Sequence, residues 1–112
     1  MELNDFQAQI AKYDLFRPSG KIDMAMLDKV LGLTGEAGEV ADKFKKLIRD
    51  NSCEMTAADR TAIAKELGDV FWYLATLARY LDIPLEEVAG RVFEKLDGRT
   101  ARGTIAGSGD ER

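Results

Sequence analysis

No stretch of this chain alternates apolar and polar residues with the period of two that a half-buried strand requires. Its apolar residues instead recur three and four positions apart over two long tracts. Leu27, Val30, Leu31, Ala37, Val40, Ala41, Phe44, Leu47 and Ile48 follow that rule in the first, and Ile63, Leu67, Val70, Phe71, Leu74, Leu77 and Leu81 in the second. This spacing gathers side chains on one face of a helix, so the expected fold is all-α, an antiparallel bundle of about four helices.

Local chemistry sets the expected boundaries. A first helix should run from about Leu3 to Phe16, with Asn4 as its cap and Phe6, Ile10 and Tyr13 on one side. Arg17-Pro18-Ser19-Gly20 reads as a turn, and a second helix should span about Asp23 to Arg49. Thr56 followed by Asp59 is close to a capping box and opens a third helix that reaches about Leu81. Pro84 suits the first position of a fourth helix ending near Leu96. Residues 98–112 carry four glycines and three arginines and read as a loosely Gly-rich tail of the same domain as residues 1–97.

A chain of 112 residues suits one domain with a modest core, which association with another copy would help to stabilise. Phe71, Trp72, Leu74, Leu77 and Leu81 offer more apolar surface than one thin bundle covers, so a homodimer or larger assembly is expected. No apolar run is long enough to span a membrane, and Met1 to Asp5 do not open a secretory signal. The lone Cys53 fits a reducing cytoplasm. A net charge of −4 disfavours binding to nucleic-acid backbones.

The absence of any histidine narrows the chemistry further. It removes the commonest general base and the usual Zn²⁺ ligands, leaving carboxylates, which favour hard ions such as Mg²⁺ or Mn²⁺. Glu36 and Glu39 stand at i and i+3 in the second helix, and Glu66 and Asp69 do so in the third. Each pair shares a helix face with Cβ atoms about 5–6 Å apart. Two like charges at that distance repel by roughly 3 kcal/mol at an effective dielectric of 20. Mid-helix placement offers no dipole to offset this, so a cation between the two pairs is the expected compensation. The plainer alternative is a set of solvated surface acids, with Glu39 and Lys43 forming an ordinary i,i+4 ion pair. Gly32, Gly35, Gly38 and Gly68 sit among these acids, each costing about 1 kcal/mol relative to alanine. Either a backbone or a ligand approaches them closely, or the helix breaks near Gly35.

Lys43 and Lys46 extend the Glu36/Glu39 stripe and are candidates to meet a polyphosphate, or are ordinary surface lysines. Trp72 and Tyr73 follow Asp69 by three and four; core is the better reading for Trp72, while Tyr73 is a candidate to stack on a base. Lys95, Arg99 and Arg102 are candidate phosphate clamps, in a region whose glycines otherwise suggest disorder.

The run from Gly32 to Asp42 with Lys45-Lys46, and the run from Lys65 to Tyr73, resemble the two motifs of the MazG-like nucleotide pyrophosphohydrolases. The segment from Glu94 through Arg99, Arg102-Gly103 and Gly107 to Asp110 resembles their C-terminal part. The resemblance implies an all-α homodimer or dimer of dimers. It also implies Mg²⁺ held by Glu36, Glu39, Glu66 and Asp69, and hydrolysis between the α and β phosphates of a nucleoside triphosphate. The first motif here lacks the additional adjacent glutamate of some members. Without histidine the base is a carboxylate, Glu36 or Glu39, or a hydroxide on the metal. The first helix (Phe6, Gln7, Ile10, Tyr13) is expected to help form the base pocket. The alternatives are a related enzyme acting on dUTP, dCTP or phosphoribosyl-ATP, and a non-catalytic helical dimer that binds a partner or cation through its acidic faces.

Overall fold

Capping chemistry sets where three of the four helices begin in the computed structural model, which describes residues 1–112. There are four: α1 (Leu3–Ile10), α2 (Met24–Asp50), α3 (Ala57–Tyr80) and α4 (Leu85–Arg102), with a 3₁₀ turn over Ala11–Tyr13 and no strand. The Asp23 carboxylate accepts from the Met26 amide and starts α2. Thr56 and Asp59 form a reciprocal capping box at the start of α3, as the sequence predicts.

The start of α4 is capped from outside. Pro84 occupies its N-cap and provides no side-chain hydrogen bond. Gln7 Oε1 accepts from the Leu85 amide at 3.0 Å, and Asn4 Oδ1 accepts from the Glu86 amide at 3.0 Å. Gln7 Nε2 donates to the carbonyls of Ala75 (3.2 Å) and Ile83 (3.0 Å). Asn4 therefore caps α4, whereas α1 itself begins after Glu2 without a side-chain cap. Through these two side chains α1 ties the end of α3 to the start of α4. Around that joint lies the small core of Ile10, Ala75 and Leu85, with Phe6, Trp72 and Val88 packed against it.

Two helices depart from the expected lengths. Regular α-helix in α1 stops at Ile10 instead of Phe16, because the chain tightens and then extends at Asp14, whose side chain is buried against α2 and α3. Helix α4 continues through Gly98 to Arg102 and ends at Gly103, which adopts φ 70°. The segment after it folds back. The Arg112 guanidinium donates to the carbonyls of Thr104, Ile105 and Gly109, and Arg99 donates to that of Asp110.

Helices α2 and α3 form the main hairpin. Gly32 lies against Tyr73 and Lys43 against Glu66, so the two run antiparallel with Glu36 opposite Asp69. Helix α2 is continuous through Gly35. A Cβ on Gly32 would overlap the Tyr73 ring, which explains that glycine by close packing, whereas Gly35, Gly38 and Gly68 face open space. Gly32→Ala should therefore cost about 1–3 kcal/mol through overpacking. Gly90→Ala, with nothing near its Cβ, should instead gain up to about 1 kcal/mol from helix propensity. Chemical denaturation of the two variants is expected to show midpoint shifts of opposite sign.

Much of the apolar surface stays uncovered. Only Ala25 and Lys29 are buried on α2, while Leu31, Phe44 and Ile48 on α2, Leu67 on α3 and Phe93 on α4 are exposed. The Cα radius of gyration is 17.1 Å, against about 13 Å for a compact domain of this length.

Candidate metal centre and adjoining cleft

The antiparallel register of α2 and α3 brings three of the four sequence-predicted acids together. Glu36, Glu66 and Asp69 each offer an oxygen within 4.8 Å of the others. Glu36 and Glu66 are half-buried and Asp69 is exposed. Glu39 is exposed and stands outside this trio, although its charge reaches Glu36. Burial, followed by the charges of Asp69, Glu66 and Glu39, holds the Glu36 carboxyl above the usual carboxylate range. This is the electrostatic cost expected of acids converging without a counter-ion. The donor set consists of carboxylate oxygens from two rigid helices, with no histidine or thiol, and it fits a hard divalent cation.

Lys43 pairs across the hairpin with Glu66 at 3.4 Å rather than along its own helix with Glu39. That contact places one ammonium beside the trio. Lys46 pairs with Asp42 at 2.7 Å along α2 and, with Lys43, lines a groove between α2 and α3.

Tyr13, Trp72 and Tyr73 join Glu36 and Asp69 around an open cleft of about 340 Å³. Trp72 and Tyr73 meet edge to face with ring centroids 4.9 Å apart. Trp72 thus serves two purposes, packing on the core with part of its surface and lining the cleft with the rest. Of the four residues expected from the first helix, only Tyr13 lines this cleft. Phe6 stacks on Phe71 at 4.6 Å, Ile10 is core, and Gln7 is consumed by its three hydrogen bonds.

The C-terminal candidates sit elsewhere. Arg99 is buried and bonds to tail carbonyls, Arg102 donates to the Arg112 carbonyl at 2.8 Å, and Lys95 is exposed. None of the three lines the acid cleft.

Behind the cleft is a network that periodicity does not reveal. The Asp14 side chain is fully buried, and its oxygens accept from Lys29 (3.0 Å), Arg79 (2.8 Å), Tyr80 (2.5 Å) and the Phe16 amide (3.0 Å). Burial alone would raise the Asp14 pKa, but the Tyr80 hydroxyl, the Phe16 amide and Lys29 together outweigh it and hold the carboxyl below its usual range. Burial and the Asp14 charge push the Tyr80 phenol up to about 12. The one signal in the sequence was the position of Lys29. It shares a helix face with Ala25, Gly32 and Glu36, where the inward stripe of α2 would normally carry an apolar side chain.

Comparison with known proteins identifies the family. The family model for the MazG nucleotide pyrophosphohydrolase domain matches residues 26–103, which include all four acids and most of the cleft. Gene 37 protein of Mycobacterium phage L5 is 50% identical over 82 residues, covering 73% of this chain and 72% of that protein. The uncharacterized protein YpjD of Bacillus subtilis (strain 168) is 33% identical over 98 residues, covering 87% and 85%. No solved structure matches. With a family match over most of its length, and with the two acidic motifs facing each other across an all-helical hairpin, the chain belongs to the MazG nucleotide pyrophosphohydrolase domain family.

Proposed function

We propose that this protein hydrolyses a nucleoside triphosphate to the monophosphate and pyrophosphate, with Glu36, Glu66 and Asp69 holding Mg²⁺, or Mn²⁺ in its place. The observation that carries this reading is the convergence of three carboxylates within 4.8 Å at the mouth of an aromatic cleft. When bound, the cation supplies charge neutralisation on the phosphate oxygens and lowers the pKa of water. Glu39, one turn beyond Glu36 and outside the trio, is the carboxylate left to take the proton of the attacking water; Glu36 is the alternative. The new bond forms between water oxygen and the α-phosphorus as the bond from that phosphorus to the β-bridging oxygen breaks. Lys43 and Lys46 offset the charge that develops on the leaving pyrophosphate. Tyr73 stacks on the nucleoside. Arg99 and Arg102 would reach phosphates only by leaving their tail carbonyls, so their part is to hold the C-terminal turn. Lys95 remains a candidate clamp.

A panel of ribo- and deoxyribonucleoside triphosphates, assayed with Mg²⁺ and again with EDTA, tests this reading. At least one should yield pyrophosphate and monophosphate in equal amounts with Mg²⁺ and neither with EDTA. Metal-independent turnover, or release of orthophosphate, would overturn it. Absence of turnover across the panel, which includes dUTP and dCTP, would favour the non-catalytic helical dimer.

The same reading includes a homodimer or dimer of dimers. The accessible surface is 8104 Å², against about 6,100 Å² for a compact monomer of this mass. The excess of roughly 2,000 Å² is enough for an interface of obligate size. Its apolar residues lie on α2, α3 and α4, where a second copy would bury them. Analytical ultracentrifugation should give a mass of twice or four times 12.4 kDa. A monomer at micromolar concentration would contradict the assembly. No helix is long and apolar enough to cross a membrane, and with the exposed, unbridged Cys53 the proposed setting is the cytoplasm.

A further inference from the structure

The acid cleft has a neighbour. A second cavity of about 250 Å³ shares Tyr13, Trp72 and Tyr73 with it and extends towards Phe16, Asp28 and Lys29. With the phosphates at the acids, a nucleoside laid along the shared aromatic wall carries its base into this second cavity. Most of the polar groups there are already spent. Asp14 is fully buried and holds four donors. The Lys29 side chain is 3% exposed, and its ammonium is fixed between Asp14 at 3.0 Å and Asp28 at 2.6 Å, with the Phe16 ring 4.7 Å away. The hydroxyls of Tyr13 and Tyr73 both donate and accept, so they distinguish no base from another.

Asp28 is different. Its side chain is 45% exposed, only its Oδ2 is engaged, by Lys29, and Oδ1 accepts no hydrogen bond. An ionised carboxylate only accepts, and it has room for about four hydrogen bonds. A base edge that meets it must therefore present donors. Guanine offers two side by side, the ring N1–H and the 2-amino group, spaced to match two carboxylate oxygens. Adenine and cytosine offer an amino group beside a bare ring nitrogen, whose lone pair the carboxylate repels. Thymine and uracil flank their single N–H with two carbonyls. We propose that the cavity beside the acids receives the base and that Asp28 selects guanine nucleotides by accepting from N1–H and the 2-amino group. This inference rests on the hydrolase reading for the place of the phosphates and adds the substrate class.

The test uses full-length protein and two readouts. The first is kcat/KM for dGTP, dITP, dATP, dCTP and dTTP in the wild type and in Asp28→Ala. Inosine differs from guanine only in lacking the 2-amino group. Wild type should favour dGTP over dITP by about tenfold or more, mainly through KM, as expected for a hydrogen bond to a charged acceptor. Asp28→Ala should abolish the preference for dGTP over dITP, with dITP falling less than dGTP because it loses only the N1–H bond, and should spare dATP, dCTP and dTTP, which make no bond to Asp28. The second readout is quenching of Trp72, the only tryptophan, by dGMP and dIMP in EDTA, which needs neither metal nor turnover. Tighter binding of dGMP that is lost in Asp28→Ala supports the inference even if no triphosphate is cleaved, in which case the hydrolase reading alone fails. Pyrophosphate release without guanine preference would overturn the inference and leave the hydrolase reading intact. An equal fall for all five nucleotides in Asp28→Ala would also overturn it, since Asp28 would then act only by holding Lys29.

Discussion

Glu36→Gln and Asp69→Asn should each lower turnover by about three orders of magnitude, equivalent to about 4 kcal/mol of transition-state stabilisation, while leaving the helical fold intact. Each change preserves size and removes one charge from a trio whose oxygens lie within 4.8 Å of one another. On the proposed mechanism the loss is large because the bound cation would both neutralise the phosphates and acidify water. Without metal the two variants should be slightly more stable than the wild type, because the charges that raise the Glu36 pKa are reduced in number. Glu54→Gln, in the exposed loop between α2 and α3, is the matched control and should leave turnover unchanged. Steady-state kinetics and circular dichroism on the same preparations separate the two effects. Activity retained within a few-fold in both variants would reduce the trio to surface acids.

The second large effect concerns stability. Asp14→Leu should destabilise the protein by about 3 kcal/mol or more, because Lys29 is left buried with only the half-exposed Asp28 as its partner. For a domain of this size that corresponds to a fall in Tm of more than about 10 °C. Asp14→Leu combined with Lys29→Met should recover much of the loss, since removing both charges is far cheaper than stranding one. A double variant no more stable than the single one would show that Arg79 and Tyr80, not Lys29, dominate the network.

The same network sets a pH response at both ends. Asp14 is held below its usual range, so its contribution is complete above the unfolded carboxyl value and is lost as pH falls below about 4. Lys29 is held above its ordinary value: burial lowers it, but the hydrogen bonds and charges of Asp28 and Asp14 outweigh that. Its contribution is complete below the unfolded value and is lost only as pH rises above about 10.4. Thermal midpoints of the wild type should therefore fall at both extremes, with the acid limb shallower in Asp14→Leu/Lys29→Met.

The long helices were legible because apolar spacing persists over about five to six turns, and the α3 start because Thr56 and Asp59 advertise a capping box. The convergence of Glu36, Glu66 and Asp69 was legible because two matched i,i+3 acid pairs sit mid-helix on neighbouring helices, although spacing alone did not set Glu39 apart from them. The end of α1 was not, because what stops it is a long-range burial of Asp14 that no local pattern encodes. The α4 overrun past Gly98 was missed because its glycines suggest a tail, whereas Arg99, Arg102 and Arg112 satisfy the carbonyls that hold the turn. Periodicity also placed Leu31, Phe44 and Ile48 on the apolar face of α2. They are exposed here, because a hydrophobic stripe reports that a face needs covering and does not say by which chain.

Titration with Mn²⁺ followed by electron paramagnetic resonance reads the acid trio itself, without substrate or turnover. Free Mn²⁺ signal should be lost on binding to the wild type, Mg²⁺ should compete, and binding should weaken at least tenfold in Glu66→Gln, where the half-buried carboxylate beside Lys43 is neutralised. Equal Mn²⁺ affinity in the wild type and in Glu36→Gln, Glu66→Gln and Asp69→Asn would place the ion elsewhere and contradict the account.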